Sequence, residues 1–249
     1  MSQSIYDDDA FFAEYSALDR SVKGLDGAPE WPRLRSLLPH GGDVSGMNVL
    51  DLGCGFGWFS RWAMEEGKAM SVQAIDNSQK MLSRARGMTN NENIHYKLGD
   101  LEDLNFGDLK DAYEVVFSSL AVHYVVNLEN LVRRIRRVLV HGGLFVFSIE
   151  HPIYTAPSHP KFITNQESGR KYWPLDNYQK EGVRETDWLA KGFKKQHRTL
   201  ASYINVFLEN GFQIRGFDEW YPTPEELEKY GWHGVLDRPV FLLMSVMKD

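Results

Sequence analysis

The chain has 249 residues, 43% hydrophobic and 25% charged, enough for one large α/β domain or one domain with an embellishment. A formal net charge of -6 argues against a nucleic-acid backbone as partner, and the single cysteine, Cys54, permits no intrachain disulfide. The start, Met-Ser-Gln-Ser, lacks the basic and apolar regions of a signal peptide, and no apolar run of membrane-spanning length exists, so a cytoplasmic protein with no membrane partner is expected.

Residues 1–46 form an N-terminal extension rich in aromatics: Tyr6, Phe11, Phe12, Tyr15 and Trp31. Asp7-Asp8-Asp9 places negative charge where a helix start favours it, and Ala10 to Leu18 carries apolar residues at helical spacing. Trp31 to Leu38 reads as a second helix, closed by Pro39 and Gly41-Gly42.

Val49-Leu-Asp-Leu52 is a short apolar strand, followed by Gly53, Gly55 and Gly57 and then a helical pattern from Trp58. A strand turning through alternating glycines into a helix lets a ligand approach bare backbone with the helix N-terminus facing it. A dinucleotide loop needs its third glycine where this chain has Trp58. A second strand, Val72 to Ile75, ends at Asp76, whose carboxylate can accept both ribose hydroxyls of a nucleoside. A third, Ile94 to Leu98, leads into Gly99-Asp100-Leu101, where Asp100 can take an adenine amino group while Leu101 packs on the ring.

Asp51-Leu-Gly-Cys-Gly-Phe-Gly57, then Ile75-Asp76-Asn-Ser-Gln-Lys-Met81, then Gly99-Asp100 resembles the class I S-adenosylmethionine (SAM) dependent methyltransferases, in particular the small-molecule group called methyltransferase type 11. The likeness covers about residues 46–149. It implies an α/β, doubly wound, seven-stranded, mostly parallel sheet of the Rossmann-like methyltransferase fold. It further implies SAM as cofactor, held by Asp51, Gly53, Cys54, Gly55, Gly57, Asp76, Asn77, Met81, Asp100, Leu101, Ser118 and Ser119. In that family the N-terminal segment folds over the cofactor as a lid; Tyr15 would then cover the methionine end and Arg20 pair its carboxylate.

Strands at Tyr113–Phe117 and Leu144–Ile149, with a helix over Leu128–Leu139, continue the alternation that builds a parallel sheet covered on both faces. The four arginines between Arg133 and Arg137 read as a solvated helix face rather than a nucleic-acid patch. Residues 151–195 then break the pattern. They are aromatic and polar, with Pro152, Pro157, Pro160 and Pro174, and Tyr178 to Leu189 suggests a strand pair centred on Glu181-Gly182. An insertion there falls at the sheet's carboxyl edge, as a substrate cap on a methyltransferase domain spanning residues 47–249. Arg198 to Glu209 returns to helix, and Phe212–Phe217 with Val240–Met247 would be an antiparallel pair completing the sheet.

Methyl transfer from a sulfonium needs a base only when the acceptor arrives protonated. His123 and His151, at the ends of the fourth and fifth strands, are the candidate bases, each also readable as a buried histidine bonded to backbone or touching cofactor. The expected acceptor is an oxygen, nitrogen or carbon of a small molecule. A SAM sensor without turnover, and methylation of RNA or protein, are the alternative readings. Zinc-like ligand spacing is absent around Glu150, His151 and His159, so no metal is expected.

Overall fold

A computed structural model describes residues 4–249. The N-terminal segment is a turn at Ser4–Asp7 followed by α1 (Asp9–Ser16), α2 (Asp19–Val22) and α3 (Trp31–Ser36). Asp8 caps α1, its Oδ1 accepting from Phe11 N at 2.9 Å. Alternation then begins with β1 (Asn48–Leu52), α4 (Trp58–Glu65), β2 (Ser71–Asp76), α5 (Gln79–Gly87), β3 (Ile94–Leu98) and β4 (Tyr113–Ser119). It continues through α6 (Leu128–Val138) and β5 (Leu139–Glu150).

The insertion contains α7 (Pro152–Thr155), the short pair β6 (Ile163–Thr164) and β7 (Lys171–Tyr172), and the hairpin β8 (Gly182–Trp188) and β9 (Ala190–His197). The expected strand pair exists but its turn is displaced. Glu181 and Gly182 lie at the start of β8, and the reversal is at Leu189, whose φ is 52°. An apolar residue in left-handed backbone gave no glycine signal to read. The chain closes with α8 (Leu200–Glu209), β10 (Phe212–Glu219), α9 (Pro224–Tyr230) and β11 (Phe241–Lys248).

One seven-stranded sheet runs in the order β10-β11-β5-β4-β1-β2-β3. Strands β1 to β5 are parallel, and β11 is antiparallel to both β5 and β10. Period-two alternation assigns side chains to two cores. Leu50, Leu52, Val116, Phe145, Phe147 and Ile149 pack beneath α6 and α8 with Ile135 and Phe207. Val49, Val115, Phe117 and Val146 face the other way, toward Trp31 and Leu34 of α3 and Phe59 and Trp62 of α4. The chain moves outward from β1 to β3 and returns to β4 beside β1, so a crevice opens where β1 and β4 end.

The arginines of α6 are engaged in local structure. Arg133 pairs with Glu129 at 2.7 Å, Arg134 with the Leu104 carbonyl, Arg136 with Gly211 O at 3.5 Å, and Arg137 approaches Asp108 at 4.0 Å. Among the described residues no helix is long and apolar enough to cross a membrane.

Candidate active site

The crevice is built on the β1–α4 loop. Gly53 N and Cys54 N both donate to Ile75 O, at 2.8 and 3.0 Å, which bends the chain back over the end of β2. Gly53, Gly55 and Gly57 all have positive φ (73°, 52° and 70°). The surroundings of the three differ. A Cβ on Gly53 would lie 2.4 Å from the Ala121 Cβ, and one on Gly57 2.3 Å from the Tyr96 hydroxyl. On Gly55 it would meet nothing nearer than the Tyr15 hydroxyl at 4.0 Å, so this residue turns bare backbone toward open space.

Two buried carboxyls stand beneath the loop. Asp76 Oδ2 accepts from Gly55 N at 2.8 Å and its Oδ1 from Ser78 N at 2.9 Å. Burial pushes its pKa up to about 6. The backbone N–H of Asn77 is a third donor to the same carboxylate. Asp51 Oδ2 accepts from Ser60 Oγ at 2.6 Å, and burial, with the Asp76 charge adding, raises it to about 7. Asp100 is held by a turn in which its Oδ1 accepts from Glu102 N at 3.0 Å. With Leu101, Asn77, Met81 and Cys54 it lines the same cavity. Burial pushes the Cys54 thiol well above its ordinary pKa, which suits packing and not nucleophilic chemistry.

The roof comes from the N-terminal segment and the insertion. The cavity, about 650 Å³, is bordered by Tyr6, Tyr15 and Arg20 of the N-terminal segment and by Trp188 and Phe193 of the insertion. These layers meet through rings. Phe11 stacks on Phe193 at 5.7 Å, and Tyr15 meets Phe56 of the glycine loop at 5.7 Å and Trp188 at 6.4 Å. Asp7 fastens the segment to α5, its Oδ1 accepting from Ser78 Oγ at 2.7 Å and Lys80 N at 3.0 Å. Arg20 grips the buried Glu30 with one nitrogen, at 3.1 and 3.2 Å, and borders the cavity.

At the far end lie His123, Tyr124, Glu150 and Tyr154. His123 Nδ1 accepts from Glu150 N at 3.4 Å, while Nε2 is buried and finds no hydrogen-bond partner among the described residues. Burial, then the charges of Lys195 and Arg198, hold this imidazole well below its usual pKa. The Glu150 carboxylate is paired with the buried Lys195 ammonium. The hydroxyls of Tyr6 and Tyr124 interact with each other, and burial keeps both phenols protonated.

The sequence is 46% identical to an S-adenosylmethionine dependent methyltransferase from Mesorhizobium loti, whose crystal structure it matches with a TM-score of 0.84 over 90% of this chain and all of that one. The chain belongs to the SAM-dependent methyltransferases. A putative SAM-dependent methyltransferase from Listeria monocytogenes is 38% identical, with a TM-score of 0.82 over 91% of this chain and 99% of that one. A family model described as a methyltransferase domain matches residues 50–147. Malonyl-[acyl-carrier protein] O-methyltransferase of Erwinia pyrifoliae is 40% identical over 45% of this chain and 40% of its own length. The methyltransferase is therefore an enzyme that uses SAM, on the fold its motifs implied.

Not every residue expected at its site reaches the cavity. His151 is fully buried, its Nδ1 accepting from Ile153 N at 3.1 Å and its Nε2 bonded to Glu219 at 2.8 Å, so both nitrogens are committed to joining α7 and β10. Ser118 Oγ donates to Leu52 O at 2.8 Å, between β4 and β1, whereas Ser119, one residue on, does border the cavity. Gly57 acts on backbone shape, beside Tyr96 at the start of α4. Conversely, Tyr6, Tyr124, Trp188 and Phe193 line the methyltransferase cavity without any motif marking them. For all but Tyr124, the aromatic density of the N-terminal segment and the insertion was the signal available.

Proposed function

We propose that this methyltransferase moves the SAM methyl group to a small-molecule acceptor in the cytoplasm, with residues 1–46 as lid and 151–195 as substrate cap. The observation that carries this is the enclosure. The glycine loop and Asp76 open into an aromatic chamber of about 650 Å³, roofed by the chain's own N-terminal segment and insertion, which suits a cofactor and a compact partner. The local pairing of the α6 arginines and the net charge of -6 weigh against RNA as the acceptor. The alignment with the malonyl-[acyl-carrier protein] enzyme spans about half this chain, so it leaves the acceptor to be read from this chain's own cavity.

The residues present fit SAM. Open space above Gly55 admits a ligand against backbone, and Asp76, already accepting from three backbone N–H groups, would take a ribose hydroxyl on its remaining lone pair. Asp100 and Leu101 would hold adenine; Asn77, Met81, Cys54 and Ser119 would wall the adenosyl group. Arg20 would pair the amino-acid carboxylate, and Tyr15 would cover that end. Asp51, ionised, would favour the positive charge of the bound sulfonium or its ammonium. SAM supplies an electrophilic methyl on a sulfonium, so the departing group is neutral and needs no proton. The chain's contribution is to orient the acceptor in line and exclude water, and alignment of this kind is worth roughly 7–11 kcal/mol in favourable cases.

Calorimetry with SAM and S-adenosylhomocysteine, on the wild type and on Asp76→Ala, tests the cofactor half. Binding lost or weakened at least tenfold in the variant is expected. Unchanged binding would end this assignment. Isotope-labelled methyl from SAM appearing in a metabolite pool, and not in RNA or protein, tests the acceptor class.

A further inference from the structure

Resting on the methyltransferase reading above, we propose that the acceptor is a carboxylate on a small apolar or aromatic body, received by His123 as a neutral Nε2–H donor rather than as a base.

The tautomer follows from geometry. His123 Nδ1 accepts a backbone N–H from Glu150 at 3.4 Å, and a ring nitrogen that accepts carries no proton. A neutral imidazole then holds its single proton on Nε2, and burial keeps this ring neutral. Nε2–H cannot take a proton from an acceptor; it can only donate a hydrogen bond. His123 is 1% exposed and borders the cavity, and the group has no partner among the described residues. A buried N–H left unpaired is costly, so an occupant that brings an acceptor atom to it is favoured.

The neighbouring groups point to the same chemistry. Lys195 and Arg198 both lower the pKa of His123; Lys195 is paired with Glu150, whereas Arg198 is in no ion pair among the described residues and is the cation left to favour an anion near the ring. The Tyr6 and Tyr124 hydroxyls carry two protons and use at most one on each other, which leaves a second donor at the same end. The negative charge of Glu150 helps keep those phenols protonated, and Lys195 already neutralises Glu150 itself. Trp188, Phe193 and Tyr154 supply an apolar wall for the rest of the molecule.

An amine or a phenol arrives with a proton that must leave, and His123 in this tautomer cannot receive it. A carboxylate arrives without one at neutral pH. One carboxylate oxygen supplies the electron pair of the new O–CH₃ bond while the S–CH₃ bond breaks and its pair stays on sulfur. The negative and positive charges cancel, giving a methyl ester and neutral S-adenosylhomocysteine with no proton moved.

Three measurements on the full chain test this. Calorimetry with S-adenosylhomocysteine comes first; failure to bind overturns the methyltransferase site and this proposal together. With binding in place, the remaining two judge the acceptor alone. In ¹⁵N-histidine NMR of the complex, His123 is expected neutral with Nε2 protonated, and an Nδ1–H tautomer or an imidazolium at pH 7 overturns the proposal. In the third, SAM is offered separately with pools of small carboxylic acids, phenols and primary amines, and products are identified by mass spectrometry. Methyl esters from the acid pool are expected; methylation of phenols or amines instead, or of no pool, overturns it. For the best acid, His123→Ala should lose about 10- to 100-fold in kcat/KM, the loss of a hydrogen bond to a charged group. His123→Gln, whose amide N–H can stand in for Nε2–H but cannot act as a base, should recover most of that loss. A Gln variant as poor as Ala overturns the donor role.

Discussion

Gly55 donates its backbone N–H to the Asp76 carboxylate at 2.8 Å. The open tip of the glycine loop and the acid at the end of β2 are thereby one unit, and moving either moves the other. That link makes the three loop glycines separable by experiment. Gly55→Ala costs roughly 1–2 kcal/mol for left-handed backbone and projects a methyl into the cavity. The protein should fold and bind S-adenosylhomocysteine at least tenfold more weakly. Gly53→Ala instead drives a Cβ within 2.4 Å of Ala121, forcing the ends of β1 and β4 apart, so stability should suffer more. Urea unfolding beside calorimetry checks the pair. Wild-type affinity in Gly55→Ala would show that this backbone does not meet the cofactor.

The two buried carboxyls contribute less stability to the ligand-free enzyme at neutral pH than in mild acid. Asp51 is raised to about 7 and Asp76 to about 6, from ordinary values of 3.8. Between about pH 4 and 7 the folded state thus holds more protons than the unfolded chain. Stability contributed by these groups is full below pH 4, falls as pH rises through that window, and is flat above it. Asp51→Asn keeps an oxygen for the Ser60 hydroxyl and removes the titration. Relative to wild type it should gain stability from pH 4.5 to 8, on the order of a few kcal/mol. A difference independent of pH in urea titrations would mean Asp51 is not the group responsible.

Asp7 fastens the N-terminal segment to α5 through Ser78 Oγ and Lys80 N, beside the exposed Asp9–Lys80 ion pair. In Asp7→Ala global stability should change by only about 1 kcal/mol, because the helices it joins keep their cores. Local opening should rise more. Trypsin should cut sooner at Arg20 and Lys23, and S-adenosylhomocysteine affinity should drop, since Tyr6 and Tyr15 are carried by the same segment. Cleavage at the wild-type rate would remove the tether from the account.

Much of this organisation was legible before any coordinates. Strand–glycine–helix punctuation located β1 and its loop, and acids after β2 and β3 stood at fixed offsets because a parallel sheet brings strand ends to one edge. The run Asp7-Asp8-Asp9 announced a helix start by its charge, and Asp8 is the member whose short acceptor satisfies an N–H that the helix leaves bare. The hairpin turn was misplaced because Leu189 takes a left-handed conformation without a glycine or asparagine to mark it. Side-chain direction was the harder loss. His123 and His151 occupy equivalent positions after adjacent strands, yet one borders the cavity and the other faces β10, and only the packed structure distinguishes them.

We propose that His151 serves stability. Its Nδ1 caps α7 through Ile153 N, and its Nε2 donates to Glu219, tying the end of β5 to the end of β10. The ring is buried and Glu219 is about half exposed (48%), so the cap is the better protected of the two bonds. Burial pulls the imidazole's pKa down while Glu219 opposes that pull. His151→Ala should lose about 1–3 kcal/mol, the cost of opening a hole and unpairing buried groups. His151→Asn, a good cap that cannot reach as far as Glu219, should fall between Ala and wild type. Methyl transfer per folded molecule should stay within about threefold of wild type in both, well short of the 10²–10⁴-fold expected for removal of a general base. A collapse of kcat in His151→Ala whose circular dichroism and S-adenosylhomocysteine binding are intact would return this histidine to the chemistry.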